Sequence, residues 1–344
     1  MTETLLRHYP SVVPQTVCGG DEAFQNLARI STDPLGEGKK RLFIGRQQGK
    51  FLKKCPGTRH MVCCNYYVLN IGSQCVLDCS YCILQEYFQN NPVLKVFCNI
   101  RDSFPEMEAL VKTRPQGIFR IGTGEFTDSL ALDEVAGFSH ELIPFFSGKK
   151  NLMLELKTKT TKIANLLRYE DVGNIVVAWS LNPDGVVEGE EEGAPPLAER
   201  LEAARACAER GYKIAFHFDP LILCQGWEEE YRDVVEGIFQ KIPSSRIVWI
   251  SMGGFRFRPA LKSIIRQRFP ESRLLTGEYV LCEDGKMRYP RPLRVHVYGK
   301  MLGWIRRHAP SLRVYLCMES QEVWRRVFNK VPRCGERPDL LFDE

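Results

Sequence analysis

Cys75, Cys79 and Cys82, in the stretch "CVLDCSYC", are the residues whose type and spacing point most directly to chemistry. Spaced x3 and then x2, three thiolates can wrap one face of a 4Fe-4S cluster, each taking one iron and leaving the fourth without a protein ligand. An open iron invites a small-molecule ligand. A structural zinc ion needs a fourth ligand and more often uses paired x2 spacings, so the spacing favours a cluster. In a chain of 13 cysteines, a chance triplet is the plain alternative.

The elements that must position such a loop are legible as an alternation. From residue 65 onward strand-like and helix-like segments take turns, the signature of parallel βα units. The patterns predict strands over 65–71, 94–100, 117–122, 151–157, 174–181, 212–218 and 246–251, with a further one over 312–317. A helix is expected to begin near Leu84, and another follows Pro195 and Pro196, carrying Leu197, Leu201, Ala204 and Ala208 on one face up to Gly211. Trp227, Tyr231, Val235, Ile238 and Phe239 mark the apolar stripe of the next. Helices are also expected over 295–308 and around Trp324. These stripes are core and carry no chemistry.

In barrels of parallel βα units the active site lies at the C-terminal strand ends. Strand 65–71 feeds the cysteine loop through Gly72. Strand 117–122 leads into "GTGEFTDS", where Gly122 and Gly124 would let the backbone approach a ligand and Glu125 and Asp128 would hold cationic groups. A simple βα turn with an N-cap is the alternative there. Lys157 ends the next strand as a partner for a carboxylate or phosphate. Ser180 and Asn182 follow the fourth. His217 and Asp219, two apart on one strand, point the same way inside the apolar "IAFHFDPLI"; a hydrogen-bonded core histidine is the plainer reading. The backbone of Met252 to Gly254 could line a planar ring.

At 344 residues the chain fits one elaborated domain better than two ordinary ones. With 47 Lys+Arg against 42 Asp+Glu the charge permits a nucleic-acid partner without arguing for one. No apolar run reaches the length of about 18 residues that spans a bilayer, and the N-terminus lacks a basic region followed by an apolar one. A cytoplasmic location, with no membrane partner, is therefore expected. The odd cysteine count and the clustering of Cys55, Cys63, Cys64, Cys75, Cys79 and Cys82 fit a reducing compartment and metal binding. The acidic segment 184–196 reads as a solvated excursion, and the basic segment 256–269 as a possible contact for DNA phosphates.

Taken together, these residues resemble a radical S-adenosylmethionine (SAM) enzyme, and more narrowly the spore photoproduct lyase family of DNA-repair enzymes. The cysteine loop fits C-x3-C-x-aromatic-C with Tyr81 as the aromatic, and "GTGE" is similar to a Gly-Gly-Glu motif that contacts the methionine amino group. "CPGTRHMVCC" (55–64), "CSYCILQ", "HFDPLILCQGWEEEY" (217–231) and "LCMESQEVW" (316–324) carry the narrower match.

The resemblance implies an α/β fold, a partial (β/α)6 TIM-type barrel over 61–255, with an N-terminal extension (1–60) and a C-terminal α/β extension (256–344). It implies that Cys75, Cys79 and Cys82 hold a 4Fe-4S cluster and that SAM chelates its open iron. Tyr81, the "GTGE" residues Gly122, Thr123, Gly124 and Glu125, and Lys157, Ser180 and Asn182 become the expected SAM contacts. His217 and Asp219 are catalytic candidates on the substrate or SAM side. An electron from a reducing partner such as flavodoxin or ferredoxin would then cleave SAM to a 5'-deoxyadenosyl radical.

This chain also departs from the family pattern. Spore photoproduct lyases return a hydrogen atom from a cysteine in the loop after the second strand, followed by a tyrosine relay. Here that loop has no cysteine, none occurs between Cys98 and Cys207, and Ile83 stands where a tyrosine often follows the last ligand. Either another thiol, such as Cys98 or Cys224, supplies the hydrogen, or the substrate differs. The sequence favours a different substrate, because donor placement is demanding. Cys55, Cys63, Cys64 and Cys317 are candidates for an auxiliary metal. A non-enzymatic iron-sulfur or zinc protein is the reading from another class.

Overall fold

The computed structural model describes residues 6–7, 11–16, 31–58, 60–170 and 172–332. Parts of the expected N-terminal extension and the end of the C-terminal one lie outside these residues. In chain order the strands are β1 (Leu42–Gly45), β2 (Leu52–Lys54), β3 (Tyr67–Leu69), β4 (Gly72–Ser73), β5 (Asp78–Cys79), β6 (Leu94–Phe97), β7 (Phe119–Gly122) and β8 (Leu152–Thr158). They continue with β9 (Ile175–Ser180), β10 (Glu191–Glu192), β11 (Lys213–Leu221), β12 (Ile247–Gly254), β13 (Arg256–Phe257), β14 (Val280–Leu281), β15 (Met287–Arg288) and β16 (Val314–Leu316).

Eight strands make one sheet in the order β16-β12-β11-β9-β8-β7-β3-β2. Every pair from β3 to β16 is parallel, and β2 alone runs antiparallel to its neighbour. Helices connect the parallel strands, except that only a 3-10 turn over Leu166–Arg168 lies between β8 and β9, and the sheet is a partial barrel with β2 and β16 as its edges. Both edges come from the segments flanking the expected barrel, which therefore extend its sheet.

The core follows from the sequence pattern. All six positions of β9 are buried, as an apolar strand covered on both faces requires. The helix Trp227–Lys241 buries Tyr231, Val234, Val235 and Ile238 along one stripe and keeps Glu228, Glu229 and Glu230 in its first turn, where the helix dipole favours anions. Each such large apolar side chain contributes about 1.5–3 kcal/mol on burial. No helix among the described residues is long and apolar enough to cross a membrane.

Two expectations are corrected, and a third is refined. The predicted strand 94–100 is real over Leu94–Phe97 but lies outside the barrel, in a separate sheet of order β1-β6-β4. The edge of β3 is taken by β7, while Gly72 admits the Lys95 carbonyl oxygen into the space a Cβ would need. The acidic segment 184–196 is no solvated excursion. It forms a helix over Asp184–Glu190 and then β10, which pairs antiparallel with β5 in the cysteine loop. Glu190 and Glu191 have buried partners there, while Asp184, Glu188 and Glu192 stay exposed. In the basic segment 256–269, Arg256 pairs with Asp219, Arg258 with Glu86, and Arg268 with Asp33 and Asp78. Arg256 and Arg268 thereby brace the fold, while Arg266 is exposed and the Arg258 side chain is 56% exposed.

Candidate active site

The strand ends converge on one pocket. Its wall includes Gly124 and Glu125 after β7, Lys157 in β8, Ser180 in β9, and His217 and Asp219 in β11. Cys75, Cys79, Tyr81 and Cys82 form the adjoining wall. Gly122, Thr123 and Asn182 stand behind it. Tyr66 occupies the space above Gly122, and Lys157 Cβ lies 2.8 Å from a notional Cβ on Gly124, so neighbouring side chains use the room both glycines leave. Thr123 donates to Ser129 Oγ at 2.7 Å, and Asn182 Oδ1 accepts from the Tyr231 hydroxyl at 2.7 Å.

The cysteine loop is held through its backbone. Lys39 Nζ donates to the carbonyls of Cys75 (2.8 Å) and Leu77 (2.6 Å), and Gln85 Nε2 to those of Cys79 (3.1 Å) and Ser80 (2.8 Å). Glu191 faces Cys79 across the β5–β10 bridge, Ser80 N donates to Glu190 O at 2.9 Å, and the Tyr81 hydroxyl donates to Glu191. With its carbonyls fixed from outside, the loop presents its sulfurs to the pocket.

Among the described residues no three His, Cys, Asp or Glu side chains gather around one point to hold a single metal ion. Three thiols lining one pocket are the ligand set a 4Fe-4S cluster takes, each binding its own iron. Burial pushes the Cys75 thiol up to about 12 and Cys79 well above its ordinary range, so thiolates here need a cation beside them.

The pocket floor is a buried polar network. Ser251 Oγ lies 2.5 Å from His217 Nδ1, and His217 Nε2 lies 2.7 Å from Glu155 Oε1. Arg120 donates to Glu155 at 2.7 Å and to the Tyr315 hydroxyl at 2.9 Å. Its guanidinium packs over Trp249 (4.4 Å) and Tyr66 (5.0 Å). Burial lowers the His217 pKa, which keeps the ring neutral beside the carboxylate. Burial acts to raise Glu155, but Arg120 and His217 outweigh it and hold the carboxyl at about 2. Asp219 is opposed by burial in the same way and is held at about 2 chiefly by Arg256, 2.8 Å away.

Thiols also occupy the opposite wall, where Cys55, Cys64 and Cys317 line the pocket. Cys317 Sγ lies 3.8 Å from Arg256 Nη2, and its thiol donates to Asp219. Burial pushes this thiol well above its ordinary pKa, with Asp219 adding to the effect, so it stays protonated. Cys98 and Cys224 are exposed and are not part of this pocket's lining.

Arg120, Glu155, Lys159, Glu191, Ser251 and Tyr315 are absent from the sequence-based candidates. A usable signal existed for two of them. Arg120 and Glu155 are charged residues inside apolar strands, two positions before Gly122 and Lys157, and residues two apart share a strand face.

A family model described as "Spore photoproduct lyase" matches residues 40–292. The chain is 25% identical to the spore photoproduct lyase of Bacillus subtilis (strain 168) over 214 residues, 62% of this chain and 63% of that protein. It is 25% identical to that of Geobacillus sp. (strain Y412MC61) over 210 residues, 60% of this chain and 62% of the other. Both matches span under two thirds of the relative's length. Among solved structures, a spore photoproduct lyase variant with bound AdoMet and dinucleoside spore photoproduct is similar with a TM-score of 0.74 at 22% identity, covering 89% of this chain and 87% of that one. A second variant gives a TM-score of 0.76 at 22% identity over 91% and 93%. The likeness shows that the sheet is the partial barrel of these proteins.

Proposed function

The chain belongs to the spore photoproduct lyase family, and on that premise we propose that it is a radical SAM enzyme, lyase-like, abstracting hydrogen from a substrate other than the usual thymine lesion. The observation that carries this reading is the single pocket shared by Cys75, Cys79 and Cys82 with the polar strand ends Glu125, Lys157 and Ser180. The three cysteines would hold the 4Fe-4S cluster. Cluster and SAM together supply a 5'-deoxyadenosyl radical once an electron arrives from a flavodoxin- or ferredoxin-type partner.

The protein's own contribution is binding, orientation and exclusion of water. Glu125 offers a carboxylate to SAM's amino group and Lys157 an ammonium to its carboxylate, an arrangement the resemblance implies and the shared pocket supports. Thr123 holds Ser129 Oγ, which accepts from Lys157 N at 3.0 Å, and Asn182 is tied to Glu191 and Tyr231 behind the pocket. Leu77, Tyr81, Phe255 and Phe257 belong to one buried apolar cluster, with Phe255 edge-on to Tyr81 at 6.4 Å, and this wall keeps water from a reactive species. His217 holds the floor between Glu155 and Ser251, and Asp219 orients Arg256 toward the substrate side. Three similar solved structures carry dinucleoside spore photoproduct, which supports a nucleic acid as the substrate class.

The test is anaerobic reconstitution followed by EPR of the reduced cluster with and without SAM. A spectrum that changes on adding SAM supports an open iron; an unchanged spectrum in a fully loaded protein counts against it. One observation favours a second reading, repair of spore photoproduct by another hydrogen donor: the protonated Cys317 thiol lines the pocket, whereas Cys98 and Cys224 do not.

A further inference from the structure

Lys159 and Glu191 flank the cysteine loop yet belong to neither the cluster ligands nor the expected SAM contacts. Lys159 lines the pocket, with its ammonium 5.5 Å from the Tyr81 ring centroid and 3.8 Å from Glu191 Oε1. Its backbone N–H is fixed by Asp128 Oδ2 at 2.8 Å. Glu191 is 1% exposed and is opposite Cys79 in the β5–β10 bridge. Its carboxylate accepts from the Tyr81 hydroxyl, from Asn182 Nδ2 at 2.8 Å and from Arg200 Nη2 at 2.6 Å. Arg200 is itself immobilised by the carbonyls of Pro195 (2.8 Å) and Ser180 (3.1 Å).

Two cations and one anion are thus fixed in a dry region against the ligand-bearing loop. Adding an electron to an iron-sulfur cluster adds a negative charge, and its potential follows nearby charge, hydrogen bonding and burial. Charges act more strongly where water is excluded. Resting on the cluster reading above, we propose that Lys159 and Glu191 set the cluster's reduction potential, Lys159 favouring the reduced state and Glu191 opposing it while bracing Tyr81.

The test uses the full chain, reconstituted anaerobically with iron and sulfide, and reads the midpoint potential by EPR-monitored dithionite titration without SAM. Iron and sulfide content is measured first. A wild-type protein that binds no cluster would overturn the cluster reading itself, a result distinct from any change in midpoint. With the cluster loaded, Lys159→Met is expected to shift the midpoint to more negative potential and Glu191→Gln to less negative potential. A structural brace alone would not produce opposite signs. Should Glu191→Gln fail to load, the lysine decides: Lys159→Met shifts the midpoint downward while Lys159→Arg stays near wild type. An unchanged midpoint in Lys159→Met, or shifts of one sign in both charge variants, overturns the proposal.

Discussion

The hydroxyl of Tyr66 occupies the point at which a Cβ on Gly122 would stand. The glycine that ends β7 therefore makes room for a tyrosine whose ring supports Arg120, and through Arg120 the pocket floor. Gly122→Ala is expected to push Tyr66 off the guanidinium and destabilise the protein by about 1–3 kcal/mol, the usual cost of overpacking. Denaturant midpoints measure this, and adding Tyr66→Phe should recover part of the loss. An alanine tolerated at full stability would contradict the packing role.

Acid should weaken the floor in two ranges. His217 is depressed from 6.5 by burial, and Glu155, despite burial, is held at about 2 against an ordinary 4.5 by Arg120 and His217. Both folded values lie below the unfolded ones, so the unfolded chain binds more protons and stability falls as pH falls. The His217 contribution is lost from pH 6.5 downward, and the Glu155 contribution from pH 4.5 toward about 2. The Glu155 part amounts to a few kcal/mol, since a tenfold difference in proton affinity between folded and unfolded chains is worth about 1.4 kcal/mol. Glu155→Gln should flatten the lower range and cost about 3–5 kcal/mol at neutral pH, because it breaks a buried pair. An unchanged slope below pH 4.5 in unfolding titrations would refute the assignment.

Cys317 separates the two functional readings. If its thiol donates hydrogen to a product radical, Cys317→Ser should keep SAM cleavage and lose conversion of dinucleoside spore photoproduct to thymines. Cys98→Ser and Cys224→Ser should behave as wild type. If the substrate differs, the wild-type protein itself should convert this dinucleoside poorly. Product analysis by chromatography distinguishes these results, and efficient repair by Cys317→Ser would exclude the thiol as donor.

Much of this arrangement was legible in the residues. The strands 117–122, 151–157, 174–181, 212–218 and 246–251 are recovered within a few residues because their apolar runs leave few alternatives for a buried parallel sheet. Glu191 was not legible. It sits in an acidic, glycine- and proline-containing stretch, and its burial depends on Arg200, Lys159 and Tyr81, which only the fold brings together. The strand at 94–97 shows the same limit, since local pattern predicts a strand but not which sheet accepts it. Gly122 was recognised as necessary, yet what fills its space is Tyr66, from a distant part of the chain.

Release of 5'-deoxyadenosine from SAM by the anaerobically reconstituted, dithionite-reduced protein is the most direct measurement. Wild type is expected to form 5'-deoxyadenosine and methionine, and Cys79→Ala to lose iron and product together. A fully loaded, reduced cluster that leaves SAM intact, or product formation that persists in Cys79→Ala, would contradict the assignment of Cys75, Cys79 and Cys82 to a SAM-cleaving cluster.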